Sequence, residues 1–290
     1  MTSFNAFQSS GGSRDCGSFF LDVVGRFGPD QVNVNWLETP RPTNEQIEEM
    51  IDNAWSNELK KAKTIGRRLF NGHLCRVIDY KAQDSRFHVT LGPVGYREYI
   101  GTNLTQAHVR YLHGPEVLAD PLGVYAPITT SDGFLLMGRR SQWVAHHAGR
   151  IHPFGGMVEP ADDQADAPDP FASLTSELQE ETGLEDDHLT EVLCLGLVRD
   201  KHIVQPELIF DVSSNLEMNT IREMSRQADD AAEHAELVPV LDHPSAVVTF
   251  IEKQVAELTP IALASLLMHG LRHWGSGWFA SARGYLRSVI

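Results

Sequence analysis

One stretch constrains this chain more than any other: Ser176-Glu177-Leu178-Gln179-Glu180-Glu181-Thr182-Gly183-Leu184. Asp169 reads as the N-cap of a helix with Pro170 at its first position, and Gly183 as the residue that stops it. On such a helix Glu177 and Glu181 stand one turn apart and Glu180 three residues from Glu177, so three carboxylates share a face. Like charges so placed repel by a few tenths of a kcal/mol per pair. Two readings follow. The face is solvated, or its hard oxygen donors hold a divalent cation, magnesium or alternatively manganese. Upstream, the pair Gly155-Gly156 closes a strand, and an acidic, proline-containing loop leads into the helix.

Strand and helix signals alternate along the rest of the chain. Residues 1–18, rich in Ser and Gly, read as a loose tail. Residues 31–36 alternate like a strand. Thr43-Asn44-Glu45-Gln46 reads as a capping box opening a helix whose apolar positions Ile47, Met50, Ile51, Ala54, Trp55 and Leu59 recur every three or four residues. Strands are predicted at 73–80 and 87–91, then a short helix and turn over 95–103. A second block begins near Pro115, with strands at 122–129 and 133–138 about the turn Ser131-Asp132-Gly133. Further strands at 191–198 and 206–212 precede helices at 218–227, 244–258 and 260–274. This order predicts a layered α/β or α+β fold. The expected division is a tail to residue 18, a smaller α+β domain over 19–115 and a larger domain over 116–290.

Composition excludes some functions. Asp plus Glu number 39 against 24 Lys plus Arg, a net charge of -15. So acidic a chain repels phosphate backbones, which argues against a nucleic-acid partner, although a bridging metal still permits a small anion. The three cysteines, Cys16, Cys75 and Cys194, fit neither a disulfide framework nor a zinc spacing and read as reduced thiols of a cytoplasmic protein. The longest uncharged apolar stretch, 258–271, is too short to span a bilayer, so no membrane partner is expected. A homodimer is left open.

Several polar residues have two readings each. Glu207 alternates with apolar neighbours on its strand, facing either solvent or the acidic helix, where it would serve as base or extra ligand. His146, His147 and His152 lack firm zinc spacing. His269 and His273, one turn apart in an apolar helix, read as structural or surface residues. Thr259-Pro260 reads as an N-cap and first helical position.

The segment from Gly155-Gly156 to Leu184 resembles the Nudix hydrolase motif, G-x5-E-x7-R-E-U-x-E-E-x-G-U, with U a large aliphatic residue. Glu177, Leu178, Glu180, Glu181, Gly183 and Leu184 match it. Ser176 stands where the motif has arginine. The loop from Gly156 is six residues longer, leaving Asp162, Asp163 and Asp166 as candidates for the motif's first Glu. Outside the motif, 96–103, 118–124 and 139–141 are similar to segments of the animal UDP-glucose/UDP-galactose pyrophosphatase branch, which shares both departures.

The resemblance implies a Nudix α/β/α sandwich with a mixed sheet behind an N-terminal domain that covers the nucleotide. It implies Mg2+-dependent hydrolysis of UDP-sugars, a small-molecule substrate, to UMP and sugar 1-phosphate. By position, Glu177, Glu181 and Glu180 would be catalytic metal ligands. Phe70, Tyr96, Arg140, Ala145 and Glu159 would contact substrate, with His152, Met157 and Thr259 at further contact positions. Two alternatives remain: another nucleoside diphosphate substrate, such as ADP-ribose or a dinucleoside polyphosphate, and a Nudix-fold binding module without catalysis.

Overall fold

The computed structural model describes residues 14–142, 144, 146–161 and 167–289, with side chains to residue 286. Its centre is the strand Pro206–Ser214, almost wholly buried. On one side it pairs antiparallel with Leu189–Asp200, which pairs antiparallel with Phe19–Phe27. On the other it runs parallel to Gly123–Ala126 and then to Ile128–Thr129. Pro127 lies between those two short strands, and proline has no N–H to give a ladder. The sheet divides there. Gly123–Ala126 continues antiparallel to Phe154–Met157, whereas Ile128–Thr129 continues to Phe134–Arg140 and, at the edge, His234–Leu241.

Strand periodicity assigns the two faces. Leu208, Phe210 and Val212 join one core with Leu174 and Leu178 of the helix Pro170–Thr182. Ile209 joins the other with Val247 and Ile251 of the helix Pro244–Gln254 and Ile261, Leu266 and Leu267 of Pro260–Val289. The result is the expected mixed sheet with helices on both faces. The long C-terminal helix is broken at Gly275 (φ 86°), one residue past its predicted end.

The N-terminal segment forms a second sheet: Val32–Trp36 parallel to Arg86–Gly95, and His73–Gln83 antiparallel to it. Its buried Cys75, Val77, Phe87, Val89 and Leu91 share the core of the acidic helix. Backbone hydrogen bonds join the two sheets, Cys75 N–H to the Val158 carbonyl and Leu122 N–H to the Cys75 carbonyl. The helix Glu45–Thr64 is capped by Asn44, whose side chain accepts from Ile47 N–H, while Thr43 turns instead to Glu48.

Among the described residues, two long strands had no counterpart in the sequence reading. Phe19–Phe27 is a near-continuous apolar run buried in the main sheet. His234–Leu241 carries Pro239 and sits at the edge, where a strand tolerates proline. The expected loose tail is corrected at its end: Arg14 and Asp15 pair with Leu21 and Phe20, and Cys16 is buried. All three cysteines are buried. Among the described residues no helix is long and apolar enough to cross a membrane.

Candidate active site

The acidic helix ends where the sequence places its boundaries. The Asp169 side chain accepts from Phe171 N–H at 2.8 Å, and Gly183 adopts φ 76°, its N–H closing on the Gln179 carbonyl. The two glycines before it do different work. Gly155 has φ 132°, and a Cβ there would lie 2.0 Å from the Val124 carbonyl oxygen, so its absence is a condition of the fold. A Cβ on Gly156 would lie 2.0 Å from Oε1 of Glu177. Gly156 therefore makes room for a carboxylate at the strand.

Burial, then Glu181, Glu180, Glu233 and Asp230, push Glu177 up to about 8. Glu181 is buried and held at both oxygens, Oε2 accepting from Gly155 N–H at 2.8 Å and Oε1 lying 3.0 Å from His234 Nε2. Glu180 accepts from the Ser176 hydroxyl at 2.9 Å. The three helix acids thus share a neighbourhood but point three ways. Among the described residues, the one group of three or more potential ligand atoms all within 4.8 Å of one another is Asp211, His269 and His273.

The Asp211 group is a closed ionic network. His269 Nδ1 lies 2.9 Å from Asp211 and Nε2 3.0 Å from Asp242, so each ring nitrogen faces a carboxylate. Asp211 also accepts from Arg272 at 2.8 Å and contacts His273 at 3.0 Å. Despite burial, the hydrogen bonds and charges of the two aspartates hold His269 up at about 9. With both nitrogens protonated, a metal could bind the ring only by displacing one of those protons.

Glu177 opens onto a cavity of about 520 Å³ whose wall also includes Phe70, Tyr96, Arg140, Met157 and Glu159. Residues about a hundred positions apart thereby meet: Phe70 and Tyr96 from the N-terminal segment, Arg140 from the end of its strand, Glu177 from the acidic helix. Phe70 is exposed at 67%. Tyr96 is half-buried, and burial raises its phenol above the usual range. Arg140 faces Glu233 at 3.8 Å, and its Nε is buried without a hydrogen-bond partner among the described residues. Burial raises Glu233, which Arg140 partly offsets. Arg67, Asp230 and Glu233 also line the wall. No motif spacing marks them; Asp230 and Glu233 reach the site through backbone hydrogen bonds, Asp230 N–H to the Glu180 carbonyl and Ser141 N–H to the Glu233 carbonyl.

Two expected contact residues lie elsewhere. His152 is buried, its Nδ1 2.8 Å from the Thr259 hydroxyl, which also accepts from Ala262 N–H. Burial, then the Arg140 charge, holds His152 well below the usual imidazole range. Thr259 borders a second cavity of about 740 Å³ with His146, His147 and Arg150. Ala145, Asp162, Asp163 and Asp166 lie outside the described residues. Glu207 calls for a correction: it faces neither solvent nor the acidic helix. It shares the sheet face of Ile209, is 3% exposed, and its perturbing carboxylate is Asp200.

No protein-family model matches the chain. It is 25% identical over 249 residues to Nudix hydrolase 9 of Arabidopsis thaliana, covering 75% of this chain and 80% of that protein. It is 28% identical over 179 residues to the uridine diphosphate glucose pyrophosphatase NUDT22 of Homo sapiens. That alignment covers 53% of this chain and 58% of the human protein, less than two thirds of its length. Among solved structures, a MutT protein from Methanosarcina mazei Go1 superposes with a TM-score of 0.37 at 18% identity, over 52% of this chain and 94% of that one.

Proposed function

We infer that this chain, similar in sequence to known Nudix hydrolases, is a Nudix pyrophosphatase that hydrolyses the diphosphate bridge of a UDP-sugar. The observation that carries the reading is the single cavity onto which Glu177, Arg140, Tyr96 and Phe70 all open. The similarity to a UDP-glucose pyrophosphatase favours uridine over other bases.

The acidic helix suits a divalent cation by the chemistry of its donors. Glu177 is half-buried amid four other acids, a concentration of negative charge that a hard cation relieves. Glu177 and Glu181 would hold it, with Glu180 nearby. Bound there, magnesium or manganese supplies charge neutralisation for the diphosphate and a bound water of lowered pKa.

The remaining work falls to side chains of the cavity. The Arg140 guanidinium, with a free Nε donor, meets charge that grows on the leaving phosphate. Phe70 and Tyr96 offer flat faces to the base, and the buried phenol keeps its proton as a donor. Met157 supplies apolar wall to the same cavity.

The test is a panel of UDP-glucose, UDP-galactose, ADP-glucose, ADP-ribose and dinucleoside polyphosphates incubated with the protein, with magnesium or with excess EDTA. UMP and sugar 1-phosphate from the UDP-sugars, only with metal, is the expected result. Equal use of ADP-glucose and UDP-glucose would move the reading to a general Nudix pyrophosphatase. No turnover of any compound, with nucleotide still bound, would favour the binding module.

A further inference from the structure

Glu181 is held from two directions, and only one of the holders belongs to the motif. Gly155 N–H bonds Oε2; the other oxygen faces the ring of His234, at the start of the edge strand His234–Leu241. The two side chains are 4% and 2% exposed. A carboxylate only accepts, so Nε2 of His234 carries the hydrogen at this 3.0 Å contact. Each oxygen of Glu181 then has one lone pair engaged and another left over.

Three features place the ring there. The ladder to Phe134–Arg140 shifts register between the pairs His234–Arg140 and Glu236–Arg139, so Ala235 is an inserted residue and His234 is re-aimed. The ring lies against Gly138, where a Cβ would come 2.1 Å from Nδ1. It also meets the Phe154 ring edge-on, centroids 5.1 Å apart at 77°. His234 Nδ1 is buried without a hydrogen-bond partner among the described residues, so its one polar contact is with Glu181.

We propose that His234 is a positioning residue that fixes the Glu181 carboxylate for the cation, with Gly138 as the space that admits its ring. The proposal rests on the reading that the acidic helix holds a divalent metal. The test measures Mn2+ binding by electron paramagnetic resonance on chelator-treated protein without substrate, beside thermal melts. His234→Phe keeps a ring against Phe154 but deletes the donor. His234→Gln retains a side-chain N–H at similar reach, and Gly138→Ala crowds the ring from behind. The expected result is Mn2+ binding weakened about 10–100-fold in His234→Phe and Gly138→Ala, the range for losing a ligand's hydrogen-bond partner. His234→Gln should recover most of that loss, with melting temperatures of the two His234 variants close to the wild type.

Glu181→Gln separates the two ways of failing. If Glu181→Gln weakens Mn2+ binding and His234→Phe does not, the positioning role is overturned and the metal site stands. If Glu181→Gln binds Mn2+ like the wild type, the metal reading fails and takes the proposal with it. Equal weakening in His234→Phe and His234→Gln would show that a side-chain N–H donor is not what holds Glu181 for the cation, and would also overturn it.

Discussion

The buried network around His269 makes stability depend on pH in a direction the structure dictates. His269 is 0% exposed and is held protonated by Asp211 and Asp242. Its folded value is about 9 against the ordinary 6.5. Because the folded value is raised, the contribution is fully present below about pH 6.5 and is lost as pH rises through 9. At 1.36 kcal/mol per unit the shift corresponds to about 3 kcal/mol, and complete burial leaves no solvent screening to discount. Urea unfolding at pH 6 and pH 9.5 reads this directly. His269→Gln removes the titration but leaves Asp211 bonded to Arg272 and His273. The variant should be less stable at pH 6 by a few kcal/mol, as for breaking a buried pair. The gap to wild type should then close toward pH 9.5. Parallel decline of the two proteins across that range would refute the assignment of a protonated His269, since every other titrating group is common to both.

Two further outcomes concern the site. Gly156→Ala places a Cβ against a flexible carboxylate rather than backbone, so the protein should fold while Glu177 is displaced. A loss of about a hundredfold in kcat, comparable to removing one electrostatic stabiliser, is expected with an unchanged melting temperature. Wild-type turnover would show that Glu177 does not need its place under the strand. Tyr96→Ala should lower kcat/KM for UDP-glucose by roughly ten- to a hundredfold, one aromatic stack being worth on the order of 1–3 kcal/mol. Mn2+ affinity should stay put, and a matching loss of metal binding would contradict a base-stacking role.

Local signals determined the acidic helix from sequence. Its cap, first-turn proline and terminal glycine act within a few residues, and each reappears in place. The helix Glu45–Thr64 also stands where its apolar spacing places it, although Asn44 rather than a Thr43 capping box begins it, and the strand Phe154–Met157 contains the motif glycines instead of ending at them. The strand Phe19–Phe27 was readable as an apolar run, yet its partner Leu189–Asp200 lies far along the chain, and no local pattern names a partner. Glu207 alternates with apolar neighbours in either face assignment, and only packing decides that Leu208 rather than Glu207 meets the acidic helix.

By itself the sequence determined which residues could carry this chemistry: three acids on one helical face, two glycines before them, and aromatics and an arginine upstream. Tertiary structure alone decided their company. It set Arg140 against Glu233, opened Phe70 and Tyr96 onto the cavity of Glu177, sent Thr259 to the wall of a second cavity and buried His152 against it. It also brought His234 to Glu181 through one inserted residue in an edge strand. Helix caps and turns are settled by bonds between near neighbours, which spacing encodes. Contacts across a divided sheet depend on register and on the absence of single Cβ atoms, and those are settled only when distant strands pair.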